Sequence, residues 1–144
     1  MSEILLPAAL AEIVDEFRGA SREEKLELLL GYADAFPDLP ERIAAQRGAM
    51  EQVHECMTPV SVIAERDGDG LGFFFDVPPE SPTVRGYAEL LRQGLVGATA
   101  EQVLAVPDDL AERMQLGTAL TPRRINGVRF MLAHVKRQAV RFLG

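Results

Sequence analysis

Val60-Ser61-Val62-Ile63-Ala64-Glu65-Arg66-Asp67-Gly68-Asp69-Gly70-Leu71-Gly72-Phe73-Phe74-Phe75-Asp76-Val77 is where the chain stops reading as helix. Val60 to Ala64 is rich in β-branched residues, Asp67-Gly68-Asp69-Gly70 is a turn signal, and Leu71 to Val77 carries three consecutive phenylalanines. The stretch therefore predicts an antiparallel hairpin. Residues 51–54 offer a short third strand, and Pro78-Pro79-Glu80-Ser81-Pro82 closes the sheet. Phe73, Phe74 and Phe75 are expected to face helices on one side and the preceding loop on the other. The close glycines of Gly68-Asp69-Gly70-Leu71-Gly72 join two strands instead of opening a helix, so they read as a turn and not as a phosphate-binding loop.

Helical patterns flank the hairpin on both sides. From Ala8 to Arg18, Leu10, Ile13, Val14 and Phe17 recur at helical spacing up to Gly19. Ser21 with Glu24 is a capping box that opens a second helix through Ala35, with Leu26, Leu29, Leu30 and Ala33 as its expected buried side. Pro37 and Pro40 break the pattern, so residues 36–59 form a long connection with a helical turn near Ile43. After the hairpin, Thr83 to Val96 carries the stripe Val84, Tyr87, Ala88, Leu91 and Leu95. Thr99 with Gln102 caps a short helix to Val106, and Pro107-Asp108 starts one more turn through Met114. Thr121-Pro122 opens the last helix, whose stripe is Ile125, Val128, Leu132, Val135, Ala139 and Phe142. Segregated sheet and helices indicate an α+β fold: a small antiparallel sheet of two or three strands packed against an N-terminal helical hairpin and C-terminal helices. A length of 144 residues suits one domain over 1–144, large enough to hold a core without disulfides or metal.

The net charge of −7 disfavours nucleic acid and anionic membranes as partners. Its distribution is uneven. Residues 1–112 hold all 22 acids against 8 bases, a net of −14, whereas residues 113–144 hold 7 bases and no acid. The basic end reads either as a solvated helix face or as a docking surface for an acidic partner. Met1 to Pro7 lacks a basic leader segment, and no apolar run approaches the roughly 20 residues of a membrane span. A cytosolic protein is expected, where a reduced thiol persists.

The chain has one cysteine, Cys56, at the end of the polar run Glu51-Gln52-Val53-His54-Glu55-Cys56-Met57-Thr58-Pro59-Val60. A free cysteine is most often a small buried hydrophobe. Here polar residues crowd its N-terminal side and Pro59 prevents a helix around it, so the segment reads as a loop that carries function. One thiol allows no internal disulfide and no sulfur-rich zinc site, and no cofactor motif is present. A cysteine–histidine hydrolase would need the fold to bring His54 or His134 to Cys56. His134, alone on the last helix, is expected at the surface or its boundary instead of in a metal site.

Taken with Thr83-Val84-Arg85-Gly86 at a helix start and Leu120-Thr121-Pro122-Arg123-Arg124-Ile125-Asn126-Gly127 near the C-terminus, this lone loop cysteine resembles the SufE family of iron–sulfur cluster assembly. The likeness runs from the first helix to the last. Family members recurrently show Leu-(Ser/Thr)-Pro-x-Arg-x-x-Gly, in which the arginine is here Arg124 and the glycine Gly127. The resemblance implies that Cys56 accepts sulfane sulfur as a persulfide from a SufS-type, pyridoxal-phosphate-dependent cysteine desulfurase, stimulates that enzyme and hands the sulfur to an assembly scaffold. The protein would then be a sulfur-transfer accessory and not an independent enzyme; a desulfurase-binding module with an inert cysteine is the alternative. The resemblance also implies a thiol sheltered on an apolar surface when free, with Met57 and the phenylalanine strand as candidate shelter. Arg124 becomes the candidate thiolate stabiliser or partner contact, and Arg47, at the family's upstream arginine, a second candidate. Two departures stand out: Glu55 occupies the place of a common glycine before the cysteine, and Ser61 that of a tryptophan. Glu55, with Glu51 behind it, is expected to disfavour a thiolate.

Overall fold

The hairpin forms where its residues dictate. In a computed structural model that describes residues 6–143, β2 (Ser61–Asp67) and β3 (Gly70–Asp76) pair antiparallel from Ser61↔Asp76 to Asp67↔Gly70. Gly68, first of the two turn residues, has φ 60°, the left-handed conformation that a tight hairpin turn reserves for glycine. β1 (Glu51–Gln52) adds to β2 through Glu51↔Val62 and Gln52↔Ser61, giving the order β1-β2-β3. Residues 1–5, part of the stretch read for a leader segment, lie outside the described residues.

Side-chain alternation divides the sheet into two faces. Val62 opposite Phe75 and Ala64 opposite Phe73 enter the main core. Ile63 and Phe74 point the other way, where Ile43, Met50 and Leu39 of the connection cover them. That connection is ordered by α3 (Glu41–Ala44) and a 3₁₀ turn at Arg47–Ala49. The phenylalanine triplet thus puts Phe73 and Phe75 into the main core, against which Cys56 also packs, and Phe74 under the first half of the connection.

The main core is built on α4 (Pro82–Leu95), which is buried around most of its circumference. α1 (Ala8–Arg18) and α2 (Arg22–Asp34) pack chiefly on α4, and β3 rests on it as well, so the N-terminal helices meet the sheet through this helix. Close approach requires glycine there: a Cβ at Gly86 would lie 2.0 Å from the Leu29 carbonyl oxygen, and one at Gly94 2.8 Å from Leu10 Cδ1. α1 and α2 touch through stacked Phe17 and Tyr32, whose rings are 6.2 Å apart.

The expected buried side of α2 needs correction. Leu30 is 44% exposed, whereas Lys25 and Leu29 are buried. Lys25 tolerates burial because its Nζ donates to Gln115 O and Thr118 Oγ1, both at 2.8 Å. After α4 come α5 (Ala100–Leu104), α6 (Leu110–Arg113) and α7 (Pro122–Val140), the last capped by Thr121 with proline at its first turn. α7 lies against β2 and α5 and reaches β1. No described helix is long and apolar enough to cross a membrane.

Candidate functional site

β1 ends after two residues because the chain must leave the sheet and return. Val53 N donates to Val60 O at 2.9 Å, closing the loop, and Cys56 N donates to Val53 O at 3.2 Å. Between these ties Cys56 is half-buried, packed against the edge of the main core. Its floor is Gly127 on α7. A Cβ built there would stand 3.3 Å from Cys56 Sγ and 3.8 Å from both Cα and Cβ of the cysteine. The missing side chain at Gly127 is the space the thiol occupies.

Gly127→Ala should leave the fold intact, because the Cys56 loop can give by a few tenths of an ångström, and should push Sγ outward. Cys56 should then alkylate faster than in the wild type, by about three- to tenfold if displacement removes roughly 1 kcal/mol of shelter. An unchanged alkylation rate in a folded Gly127→Ala protein would show that Gly127 does not seat the thiol.

Two side chains tie down the far side of the loop. Thr58 Oγ1 and Ser81 Oγ are 2.9 Å apart, joining the loop to the start of α4. Arg123 donates to Met57 Sδ at 3.1 Å. Met57 itself is 75% exposed, so it does not provide the shelter expected of it; its side chain meets the Arg123 guanidinium in solvent. Arg123 was not singled out by its sequence, although it precedes Arg124 on the first turn of α7.

Arg124 donates to Thr83 Oγ1, linking the two sequence motifs at the N-termini of α7 and α4. Arg85 of the same motif donates to Val77 O at 2.8 Å and lies 4.1 Å above the Phe36 ring. Arg47 pairs with Asp76 at 3.3 Å, at the end of β3. Among the described residues, no cation forms an ion pair or hydrogen bond with Cys56 Sγ. Most other bases of the C-terminal stretch meet internal acids: Arg113 with Asp109, Arg129 with Glu112, Lys136 with Asp108 and Arg137 with Glu51.

The N-terminal side of the loop is held by His134, expected at the surface or its boundary. His134 is buried, with 10% of its side chain exposed, because α7 buries a second stripe, Gly127, Met131, His134 and Gln138, beside its apolar one. His134 Nδ1 meets Glu51 Oε2, and Nε2 lies 2.9 Å from Glu55 Oε1. Gln138 donates to Glu51 Oε1 at 2.9 Å and accepts from the Ala64 amide at 3.1 Å, while Arg137 stands 3.0 Å from Glu51. The signal was available in the spacing 127, 131, 134, 138, which repeats at four, three and four residues. No hydrogen bond joins either histidine to Cys56 among the described residues, so the hydrolase arrangement is not formed.

These contacts set the protonation of both carboxylates. Burial pushes Glu51 up, but the Gln138 and His134 hydrogen bonds and the charges of His134 and Arg137 outweigh it and hold its pKa below the usual value. Glu55 is held low by its hydrogen bond with His134 and by its own backbone amide, with the charges of His134 and His54 assisting. The two acids before Cys56 are therefore ionised at neutral pH and engaged by His134, Gln138 and Arg137.

A family model described as "SufE: Fe-S metabolism associated domain" matches residues 11–139. An uncharacterised SufE-like protein of Mycobacterium tuberculosis is 39% identical over 134 residues, covering 92% of each chain. A second uncharacterised SufE-like protein, from Synechocystis, is 29% identical over 145 residues, covering 99% of this chain and 87% of its own. Among solved structures, the solution structure of a hypothetical protein from Thermus thermophilus superposes with a TM-score of 0.83 at 34% identity, covering 95% of this chain and 97% of that one.

Proposed function

The chain belongs to the SufE family, whose matched domain is one of iron–sulfur metabolism, and on that premise we propose that Cys56 is a sulfur acceptor for a cysteine desulfurase. The observation that carries this reading is the placement of the chain's one thiol. It is half-buried on a tethered loop, resting on the glycine of the Leu-Thr-Pro-x-Arg-x-x-Gly motif. Among the described residues it has no internal base or metal-binding cluster at its side, and the sequence holds no second cysteine.

Such a thiol has the right chemistry for an acceptor. The Cys56 thiolate attacks the outer sulfur of a persulfide on the desulfurase; the new bond is Cys56 Sγ–S, and the desulfurase cysteine leaves as its thiolate. A second cysteine within reach would attack the new persulfide and release the sulfur, and the sequence has none. The donor is a SufS-type, pyridoxal-phosphate-dependent enzyme, and the acceptor's product passes to a cluster-assembly scaffold in the cytosol. The whole chain serves as a single SufE-like domain.

Arg124 acts at docking. It is tied to a neutral threonine hydroxyl and pairs with no carboxylate among the described residues, so it is available to the desulfurase or to the thiolate once the loop moves. The test is desulfurase turnover, read as alanine released from cysteine. Wild-type protein should stimulate it, and Cys56→Ser should bind the enzyme without stimulating it. Equal stimulation by both proteins would favour a binding module with an inert cysteine.

A further inference from the structure

We propose that His134 is the positioning residue of the Cys56 loop, working as an imidazolium that clamps Glu51 and Glu55 together, so that loss of its proton frees Glu55 and unlatches the thiol. This deepens the acceptor reading of Cys56 and rests on it for its biological purpose. The geometry stands on its own.

A count of donors decides the charge of the ring. Both ring nitrogens of His134 face carboxylate oxygens, Nδ1 that of Glu51 and Nε2 that of Glu55. An ionised carboxylate only accepts, and a neutral imidazole has one donor and one acceptor nitrogen. The two contacts coexist only when both nitrogens carry hydrogen. Both carboxyls are held below their usual pKa, so neither carboxyl supplies the hydrogen.

The two carboxylates are unequal partners. Glu51 lies in β1, accepts from Gln138 and faces Arg137, so it stays in place without the histidine. Glu55 has His134 as its side-chain partner, is exposed, and is chained directly to Cys56. A neutral ring would turn a lone pair toward one of them, and Glu55 is the one that water can take. The other charged groups nearby do not replace it. His54 acts on Glu55 from the loop, β2 presents the neutral Ala64 amide through Gln138, and Arg141 is committed to Gln138 Oε1.

The release of Glu55 would loosen the N-terminal side of the loop while Thr58 and Ser81 still hold the other. The thiol would then swing off Gly127 as on a hinge. A desulfurase surface that supplied a base to His134, or a cation to Glu55, would achieve the same opening on docking.

Alkylation of Cys56 by iodoacetamide reads the latch without any desulfurase. Rates are taken from about pH 5.5 to 8.5, across the range in which a histidine changes charge, and each is divided by the rate of the same protein unfolded in urea at that pH. His134→Gln should alkylate about tenfold faster than the wild type at the acid end, the effect of losing one charge-assisted hydrogen bond, and the gap should close toward the alkaline end. His134→Arg keeps its charge and both donations, so it should stay slow throughout. Glu55→Gln can bond to either form of the ring and should show no pH dependence. It is a change at an exposed side chain that folds regardless, so it carries the test if a His134 variant does not fold. A wild-type profile parallel to that of Glu55→Gln would overturn the proposal, as would nitrogen NMR showing a neutral His134 ring at the acid end. Persulfide formation is measured separately, so loss of the acceptor reading would leave this result standing, and the reverse holds too.

Discussion

Gly86→Ala should destabilise the protein by about 3 kcal/mol or more, at the upper end of what overpacking does. The added Cβ would meet the Leu29 carbonyl oxygen at 2.0 Å and Leu29 Cα at 3.2 Å. These are backbone atoms of a neighbouring helix, so no rotamer change relieves the clash and α2 must move off α4. The control is the same substitution in open space. Nothing stands within 4 Å of a Cβ at Gly31 in α2, so Gly31→Ala should gain up to about 1 kcal/mol from helix propensity alone. Urea denaturation with constant m-value measures both. A Gly86→Ala midpoint at or above the wild-type value would mean that the two helices are not packed this closely.

Glu51→Ala should have the second largest effect, a loss of about 3 kcal/mol. It removes the acceptor of two buried groups, Gln138 Nε2 and His134 Nδ1, and each buried donor left unsatisfied costs about 1–3 kcal/mol. Arg137 is mostly exposed and adds little. Glu51→Gln, which keeps an acceptor oxygen, should lose less. The pH dependence follows from the lowered pKa of Glu51 in the folded state. Its contribution is fully present above the ordinary carboxylate value and is lost as pH falls through the folded one, so the wild-type advantage over Glu51→Ala should shrink below about pH 4. Constant destabilisation from neutral to acid pH would contradict the assigned network.

Local signals in the sequence located most elements. The Ser21–Glu24 and Thr99–Gln102 boxes form with both reciprocal bonds, and Thr121-Pro122 starts α7. The hairpin follows from β-branched runs and turn glycines, and the short third strand offered at 51–54 forms over Glu51–Gln52 alone. What stayed hidden are long-range agreements between distant residues. Lys25 is buried because Gln115 O and Thr118 Oγ1 receive it 90 and 93 positions later. Nothing around Lys25 announces that. Gly86 and Gly94, eight residues apart in a helix, carried a readable hint, since each weakens the helix by about 1 kcal/mol and needs a packing reason.

The candidate site was legible in the same uneven way. Cys56 and Gly127 each stood in a recognisable motif, and the fold brings them into contact. His134 did not, because a lone histidine has no sequence signature when its partners are carboxylates 79 and 83 residues away. Glu55 looked like a charge opposed to the thiolate; with His134 found, it reads as the handle by which α7 holds the thiol loop.

Sulfur carried on Cys56 is visible by intact mass spectrometry. The protein is incubated with a cysteine desulfurase and excess cysteine, desalted without reductant and weighed. The wild type should gain the mass of one sulfur atom, reversed by thiol reductant and absent from Cys56→Ser. An unmodified wild type beside an active desulfurase with which it associates, or the same gain on Cys56→Ser, would contradict it.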